Sequence, residues 1–404
     1  MSPPRPTLAE IFLTALRLGC TSFGGPVAHL AYFRREYVEK RHWLDEAHYA
    51  DLVALCQFLP GPASSQVGFG VGVLQRGLAG GLAAWLGFTL PSAALMIAFG
   101  CGIAALGDLA HAGWLQGLKV AAVAIVAQAV FAMWRMLCPD VRRSFLAAAA
   151  AGVLLFVTEA WTQIAVIGVG TLGGLLFLRS RNQPNRGGTE ELSRGKSDSA
   201  LPSFRVSAIC LGLFFLLLVG LPILSRAAGV DWLAVADKFY RTGALVFGGG
   251  HVVLPLLERE VVAPGWLTHD RFLAGYGAAQ AMPGPLFSFS GYLGAVITPG
   301  WRGVAGGMWS LLWIYVPALL VVLGVLPYWQ RLRANPAAQA ALRGANAAVV
   351  GLLLAALITP VASTALLSSR HMVLATAAFG VLLFPKTPPW SVVLACALIG
   401  AAWL

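Results

Sequence analysis

The 404-residue chain is poor in charge, because Asp, Glu, Lys and Arg make up only 11% of it while hydrophobic residues make up 58%. Its mean hydropathy is +0.75, and apolar stretches of about 20 residues, the length of a spanning helix, recur along nearly the whole sequence. This composition excludes an ordinary soluble domain and leaves no room for a separate catalytic domain. We therefore expect an all-α polytopic membrane protein.

Other absences narrow the function. The six cysteines stand singly, with no C-x-x-C pair and no histidine at metal-ligand spacing, so we expect buried thiols rather than metal ligands. The sequence has no Walker P-loop, which argues against direct coupling to ATP. It has neither a redox-cofactor motif nor a paired array of histidine and carboxylate, so we expect no enzyme activity, cofactor or metal.

Acidic residues are fewer than basic ones, with 17 Asp and Glu against 28 Lys and Arg. The basic residues lie mainly between apolar stretches, which is typical of cytoplasmic loops and does not indicate a nucleic-acid partner. Residues 180–203 are polar and rich in Gly, Ser and charge, which predicts a cytoplasmic linker. The N-terminus lacks the features of a cleavable signal, so we expect it in the mature protein.

The chain repeats one unusual pattern of Gly and Pro. FGGPVAHL at 23–30 returns as FGGGHVVL at 247–254, and LPGPASSQVG at 59–68 returns as MPGPLFSFSG at 282–291. Offsets of 223 to 226 residues carry the landmarks of the first half onto those of the second in the same order. This indicates an internal duplication. Gly, Pro and charge set in apolar sequence are also where membrane transporters build their sites.

The order of apolar segments predicts the architecture. About six segments precede the linker, one follows it, and about six more match the first set, giving about 13 in all. The predicted units are a first repeat at 1–179, the linker at 180–203, a connecting transmembrane helix at 204–225 and a second repeat at 226–404. If every segment crosses once, the unpaired helix makes the halves inverted repeats.

Sidedness stays open at this point. The basic loop at 34–48 and the linker should both be cytoplasmic. That combination requires either a re-entrant segment or an N-terminus on the outside.

The Pro-Gly-Pro runs predict broken helices. Two prolines that flank a glycine cannot continue a helix, whereas a proline starts a new one readily, so unpaired N–H groups and a positive dipole end would face the protein interior. A plain proline kink is the alternative, but its repetition in both halves favours an anion site. The predicted site residues here are Gly61, Pro62, Ala63, Ser64, Ser65 and Gln66, with Gly284, Pro285, Leu286, Phe287 and Ser288 in the second copy.

The Phe-Gly-Gly elements predict a second break in each half. Gly24 and Gly25, with their counterparts Gly248 and Gly249, permit unusual backbone conformations or close approach of a substrate, although close helix packing is an alternative.

Arg17 and Arg241 lie six residues before the Phe-Gly-Gly elements. An arginine at membrane depth marks a site by default, and guanidinium groups bind tetrahedral oxyanions well. The alternative is an arginine that reaches the lipid head groups.

The remaining repeated residues are assigned to gating or structure: Phe23, Pro26, Arg35, Glu36, Pro60, Phe247, Gly250, Arg259, Glu260 and Pro283. The adjacent opposite charges Arg35-Glu36 and Arg259-Glu260 are expected to form inter-helical pairs. His29 and His251 are candidate proton carriers, with a structural role as the favoured alternative. Lys119 and Arg343 begin equivalent Ala-rich helices and are expected to be interfacial anchors.

At these residues the chain resembles the long, two-domain form of the chromate ion transporter family. The resemblance rests on FGGPVAHL with Arg35-Glu36 and Trp43, on PGPASSQVG, and on their counterparts in the second half. It covers nearly the whole chain apart from the linker. The family's motif positions fall on Phe23, Gly24, Gly25, Pro26, Pro60, Gly61 and Pro62, and on Phe247, Gly248, Gly249, Pro283, Gly284 and Pro285. Gly250 departs from the pattern, since the first copy has Pro26 there.

The resemblance implies a bacterial inner-membrane protein that exports chromate and confers chromate resistance, with sulfate as competitor or counter-substrate. The residues agree, because opposed helix N-termini and arginines suit a doubly charged oxyanion. We therefore expect a secondary transporter whose partners are chromate or sulfate and membrane lipid, with a homodimer left open. The alternatives are a transporter of the same build for sulfate or another oxyanion, and a passive anion channel.

Overall fold

The computed structural model describes residues 5–105, 112–157, 162–178, 202–247, 250–298, 300–384 and 387–404. Over these residues the chain is helical with short connections and contains no β-strand. The predicted linker lies outside the described residues except for positions 202 and 203, and Gly248 and Gly249 lie outside them as well. An all-α protein was predicted, and the described residues agree.

The helices of the described residues are numbered here in chain order. They are α1 Leu8–Thr21, α2 Gly25–Phe33, α3 Glu46–Phe58, α4 Ala63–Ala105, α5 Gly113–Leu137, α6 Val141–Phe156, α7 Thr162–Phe177, α8 Phe204–Ala228, α9 Asp231–Leu245, α10 Val253–Val261, α11 His269–Ala281, α12 Phe289–Ile297, α13 Gly303–Val325, α14 Trp329–Ala334, α15 Pro336–Ala356, α16 Ser363–Ala365, α17 Ser369–Leu382 and α18 Pro389–Trp403.

Among the described residues, five helices are long and apolar enough to cross a membrane. They are Ala63–Ala105, Gly113–Leu137, Phe204–Ala228, Gly303–Tyr328 and Pro336–Ala365. The other predicted segments form shorter helices. Those beside the Phe-Gly-Gly and Pro-Gly-Pro motifs are short because the chain leaves the helical conformation there. The count of about 13 segments therefore stays a prediction.

The first half begins with helices that run inward and return. The chain turns between α1 and α2 at Gly24 and between α3 and α4 after Phe58, and α4 itself bends at Arg76 and Gly77. Nε of Arg76 donates to the carbonyl of Pro6 at 2.7 Å, before α1. We call the surface formed by the start of α1, the α2–α3 loop and the α4 bend the first face.

The α2–α3 loop joins this surface through a side chain of α4. Nε2 of Gln75, next to the bend, donates to the carbonyl of Trp43 at 2.7 Å. The three connections therefore lie together at one face.

The second half repeats this arrangement. Nε1 of Trp309, near the start of α13, donates to the carbonyl of Trp232 at 2.9 Å, at the start of α9. A cavity of about 290 Å³ is lined by Trp232, Trp266 and Thr298, which belong to the α9 start, the α10–α11 loop and the α12–α13 turn. We call the surface formed by these three elements the second face.

The long part of α4 connects the two faces. It leaves the first face at its bend, and its last turns pack on the second half, where a Cβ built on Gly100 would lie 2.8 Å from the carbonyl oxygen of Tyr292. A Cβ on Gly303, the first residue of α13, would lie 3.1 Å from Sγ of Cys101. Thus α4 ends where α13 begins.

Helix α8 returns alongside α13. Oγ of Ser207, near the start of α8, donates to the carbonyl of Leu323 at 2.9 Å, near the end of α13. Helix α8 is followed by α9, whose start lies at the second face.

Glycines allow equivalent helices to cross closely in the two halves. A Cβ on Gly19 of α1 would lie 2.5 Å from the carbonyl oxygen of Phe88 on α4, and a Cβ on Gly243 of α9 would clash with the carbonyl oxygen of Ile314 on α13. Gly19 corresponds to Gly243 and Phe88 to Ile314 in the repeat. The same backbone crossing therefore fixes the inward helix of each half against its long helix.

The last two helices of each half form a hairpin. Nη1 of Arg142 donates to the carbonyl of Phe177 at 3.0 Å, joining the start of α6 to the end of α7. In the second half Nη1 of Arg370 donates to the carbonyl of Trp403 at 3.1 Å, joining the start of α17 to the end of α18. The repeat therefore extends to the ends of both halves.

The crossing at Gly243 gives a stability prediction. We expect Gly243→Ala to lower the free energy of unfolding by about 1–3 kcal/mol, since the added methyl group has no space against Ile314. Gly212→Ala on α8 is the matched control, because a Cβ there meets no atom within 4 Å. Thermal unfolding of the two purified variants in detergent measures the difference, and equal midpoints would contradict the close crossing.

Candidate functional site

The two Pro-Gly-Pro turns are joined to opposite halves by backbone hydrogen bonds. The N–H of Gly61 donates to the carbonyl of Val246 at 2.7 Å, and the N–H of Gly284 donates to the carbonyl of Ser22 at 2.9 Å. Ser22 and Val246 each stand directly before the Phe-Gly-Gly element of their half. All four motifs therefore meet in one place.

Both turns require glycine at their centres. Gly61 has φ of 123° and Gly284 has φ of 91°, a region that residues with a side chain rarely adopt. A Cβ on Gly61 would lie 2.8 Å from Cβ of Ala318, and one on Gly284 would lie 3.0 Å from Oγ of Ser92. Ser92 and Ala318 are equivalent positions of the long helices α4 and α13, so each turn packs against the long helix of the other half.

Five buried hydroxyl groups gather between the turns. We call Ser65, Thr89, Ser92, Ser288 and Tyr315 the hydroxyl cluster. Oγ of Ser92 lies 2.6 Å from Oγ of Ser288. The hydroxyl of Tyr315 faces those of Ser65, Thr89 and Ser288. Each member is at most 2% exposed, so the cluster is closed to solvent.

Three of these hydroxyl groups lack a satisfactory partner. Oγ of Ser65, Oγ1 of Thr89 and Oη of Tyr315 are buried without a well-formed hydrogen bond in the described part of the chain. Buried polar groups are normally hydrogen bonded, and leaving one unpaired costs about 1–3 kcal/mol. Enclosed polar atoms without a well-formed hydrogen bond indicate a site where a polar ligand or water can bind.

The predicted donors after Pro62 divide between two roles. Ser65 belongs to the hydroxyl cluster, whereas Oγ of Ser64 lies 3.3 Å from Nδ1 of His29. Nε2 of Gln66 donates to the carbonyl of Pro60 at 2.7 Å, which braces the turn. Helix α4 begins at Ala63, so the first amide groups of its N-terminal turn point back toward the turn.

The second copy begins less regularly. A single 3₁₀ turn, Leu286–Ser288, precedes α12. The ring of Phe287 packs against that of Tyr315, with their centroids 5.8 Å apart. Ser288 is thus the hydroxyl that the segment after the second Pro-Gly-Pro turn brings into the cluster, as Ser65 is after the first turn.

Pro26 and Gly250, which break the symmetry of the motif, are neighbours. A Cβ on Gly250 would lie 3.4 Å from Cγ of Pro26 and 3.7 Å from Cδ2 of Leu286. A proline ring at both positions would bring the two rings together. The difference between the copies therefore has a steric reason.

The two repeated arginines have different environments. Arg17 is exposed on α1 and forms no ion pair with the described residues. Nη2 of Arg241 lies 2.9 Å from Oδ2 of Asp237 and 3.4 Å from Oε2 of Glu260. Lys238 also pairs with Glu260, at 3.1 Å. Arg241 is therefore neutralised by carboxylates, and its role as a ligand stays a prediction, as does that of Arg17.

Two expectations about charged side chains need correction. Glu36 bonds Lys40 and Arg41 of its own segment at 3.2 and 2.9 Å, so its pairs are local and not inter-helical, unlike those of Glu260. The side chain of Lys119 is 1% exposed and lies 2.7 Å from Oδ1 of Asp270. It is a buried cross-half partner and not an interfacial anchor, because the start of α5 packs on α11.

Both candidate proton carriers are buried next to polar side chains. His29 lies against Ser64, with its ring edge-on to Phe88, and its Nε2 has no partner among the described residues. Nδ1 of His251 lies 2.8 Å from the hydroxyl of Tyr276. These contacts suit a structural role, and the proton role stays a prediction.

Sequence reasoning missed Thr89, Ser92 and Tyr315. Thr89 and Ser92 flank the repeated Pro91, and Tyr315 stands at the position of Thr89 in the second copy. The signal was a polar residue beside a repeated proline in an apolar helix. It was overlooked because the two copies carry different residue types there.

A sequence model described as "Chromate transporter" matches residues 9–175 and 233–401 of this chain. A probable chromate transport protein of Synechococcus elongatus is 26% identical over 88% of this chain and 85% of its own length. The chromate transport protein of Cupriavidus metallidurans is 26% identical over 98% of this chain and 93% of its own. That of Pseudomonas aeruginosa is 28% identical over 87% and 80%. No solved structure matches.

The unlike environments of the two arginines give a second prediction. Arg241→Gln leaves the buried carboxylate of Asp237 without its partner, so we expect a loss of about 1–3 kcal/mol in the free energy of unfolding. Arg17→Gln is the matched control and should unfold like the unmodified protein. Thermal unfolding in detergent measures both, and an unchanged midpoint for Arg241→Gln would argue against the ion-pair network.

Proposed function

The chain belongs to the chromate transporter family, and we propose that it is a secondary active transporter that exports chromate across a bacterial inner membrane and confers chromate resistance. Sulfate, the close mimic, acts as competitor or counter-substrate. The names of its relatives support chromate as the substrate. The observation that carries the proposal is the hydroxyl cluster between the two Pro-Gly-Pro turns.

The chemistry of the cluster suits an oxyanion. Chromate and sulfate are tetrahedral dianions whose oxygens only accept hydrogen bonds, and a buried anion is stable only when those oxygens are satisfied. Ser65, Thr89 and Tyr315 have hydroxyl groups without well-formed partners. The amides at the start of α4 add donors and a positive dipole end. The cluster itself contains no carboxylate that would repel an anion or hold a cation.

The proposal includes an inverted relation between the repeats at 1–179 and 226–404, which the linker and the helix predicted at 204–225 connect. The C-terminal end of α4 lies beside the start of α13, which supports opposite directions for these equivalent helices. The reciprocal bonds of Gly61 and Gly284 support a two-fold relation at the centre. Transport would then proceed by rocking of the halves around the hydroxyl cluster.

Sidedness follows from charge. Arg34, Arg35, Lys40, Arg41 and Arg76 belong to the elements of the first face. In the proposed topology both ends of the linker lie on the same side of the membrane as that face. An excess of basic residues is typical of the cytoplasmic side, so we assign the first face to the cytoplasm. Of the two alternatives that the sequence leaves open, re-entrant hairpins account for a cytoplasmic loop and a cytoplasmic linker together.

Everted membrane vesicles test the function directly. We expect labelled chromate to accumulate inside them against its gradient when a proton or counter-anion gradient is imposed, and excess sulfate to compete. Flux that only runs downhill would indicate a passive channel. If chromate does not move but sulfate does, the substrate is sulfate; if neither anion moves or competes, the proposal fails.

The tyrosine hydroxyl of the cluster gives a prediction for binding. Tyr315→Phe removes one donor to a charged ligand, so we expect the apparent affinity for chromate and sulfate to fall by about tenfold to a hundredfold. Tyr240→Phe is the matched control, because that hydroxyl donates to the carbonyl of Phe214 outside the cluster. Concentration dependence of uptake in vesicles measures both variants, at equal protein levels. Equal affinities in the two variants would remove Tyr315 from the site.

The assignment of faces gives a prediction for topology. A reporter inserted in the linker near position 190 should be cytoplasmic, and one fused after Leu404 should be outside, because α18 ends beside the start of α5 near the second face. Paired reporters that are active on opposite sides of the membrane measure this. The same side for both would contradict the proposed inversion.

A further inference from the structure

Each half has a contact that joins the end of its outward helix to the start of the next inward helix. In the first half Nε of Arg34 donates to Oε1 of Glu46 at 2.8 Å, between the end of α2 and the start of α3. In the second half Nδ1 of His269 lies 2.9 Å from Oε1 of Glu258, between α10 and α11. Arg34 corresponds to Glu258 and Glu46 to His269 in the repeat, so the position of the contact is kept while the charges are exchanged.

The two contacts differ in how they respond to pH. Arg34 is always charged, and the side chains of Arg34 and Glu46 are 48% and 59% exposed, so this pair lies in water. The side chain of Glu258 is 6% exposed and that of His269 is 43% exposed. Histidine changes its charge near neutral pH, and a buried carboxylate depends strongly on a charged partner. The contact at the second face can therefore be switched by a proton.

A cavity gives water access to this pair. Its volume is about 250 Å³, and it is lined by Glu258 and His269 together with side chains of both halves. Gln163 of α7 contributes from the first half, and Thr359 follows α15 in the second. The cavity adjoins the α10–α11 connection, so opening or closing of that connection changes its shape.

Other charged side chains lie near the Glu258–His269 pair. Arg259 lines the same cavity, and Asp270, the residue after His269, is held by the buried Lys119 of α5 at 2.7 Å. Arg271 follows on the same helix. The described residues that line the rest of the cavity carry no titratable group, and they include Leu154, Leu155, Gln163, Leu352, Ala355, Ala356, Thr359 and Pro360.

Helix α9 also packs on α10. Three of its four charged residues, Asp237, Lys238 and Arg241, form a separate network with Glu260. The fourth, Asp231, lines the other cavity of the second face, beside Trp232. Among these groups His269 is the histidine in contact with Glu258.

We propose that Glu258 and His269 form a proton-binding site at the second face, which holds the α10–α11 connection closed when His269 is charged and releases it when His269 is neutral. The stabilisation is present at mildly acidic pH, where His269 is charged while Glu258 is ionised, and it is lost as the pH rises, because loss of the histidine proton turns an ion pair into a weaker contact. The equivalent Arg34–Glu46 contact at the first face stays closed throughout. The proton site itself does not depend on the proposed function; only the effect of this site on transport rests on it.

Hydrogen–deuterium exchange of the full-length protein in detergent tests the site without any substrate. After correction for intrinsic rates, we expect residues 262–268 to exchange about threefold faster or more at about pH 8 than at about pH 6. Residues 35–40, which follow Arg34 and contain no histidine, are the internal control and should show no such change. A loop at 262–268 with the same pH response as 35–40 overturns the proposal without any variant.

Two variants test the assignment to His269. His269→Arg cannot lose its charge and should keep 262–268 protected at both pH values. His269→Gln cannot gain one and should leave the loop exchanging quickly at both. If either variant keeps the pH response of the unmodified protein, the site is not His269.

Transport by the same proteins separates this inference from the proposed function. If chromate or sulfate is transported while hydrogen exchange at 262–268 is independent of pH, the proton site is overturned and the proposed transport function stands. The opposite outcome is also possible. If the pH dependence of exchange at 262–268 is abolished by His269→Arg, but the protein moves neither anion at any pH, the proton site is supported and the proposed function fails.

Discussion

Backbone groups that leave a helix in apolar surroundings must find other hydrogen-bond partners, and the whole centre of this protein depends on how they do so. Gly61 and Gly284 each donate to the carbonyl that ends the inward helix of the opposite half. Each break is therefore satisfied by the other copy. Neither half can form its own centre alone, which gives a physical reason for keeping both copies in one chain.

The reciprocal bonds also determine which side chains meet. With the turns fixed, Ser65 and Ser288 stand in the first turn after each break, and the long helices pass directly behind them with Thr89 and Tyr315. The cluster thus contains both members of two equivalent pairs, Ser65 with Ser288 and Thr89 with Tyr315, together with Ser92. The strong charges lie elsewhere, in the network around Arg241, so the centre is polar but carries no fixed ion pair. Neutral, enclosed donors can bind an anion and still release it.

Much of this arrangement could be predicted from the repeats. The Gly and Pro landmarks identified the breaks at Gly24 and Gly61 and the contribution of Ser65 and Ser288, because backbone chemistry dictates where a helix must end. Tyr315 could not be found in this way, since comparison by identity discards positions where the copies differ. Lys119 was misjudged for a related reason: its partner Asp270 lies 151 residues away, and no local pattern reports that contact.

The differences between the copies carry as much information as the likenesses. Pro26 and Gly250 differ because they touch, so the meeting point of the halves has room for one ring. The pair Arg34–Glu46 does not touch the pair Glu258–His269, so the difference between the two pairs requires another cause. In the proposed topology they close equivalent connections on opposite sides of the membrane, where the two solutions have different proton activities. A duplicated backbone supplies the same hinge at both faces, and side chains that respond to unequal conditions make the two hinges unequal. That inequality is what a directional transporter needs from an otherwise symmetric scaffold.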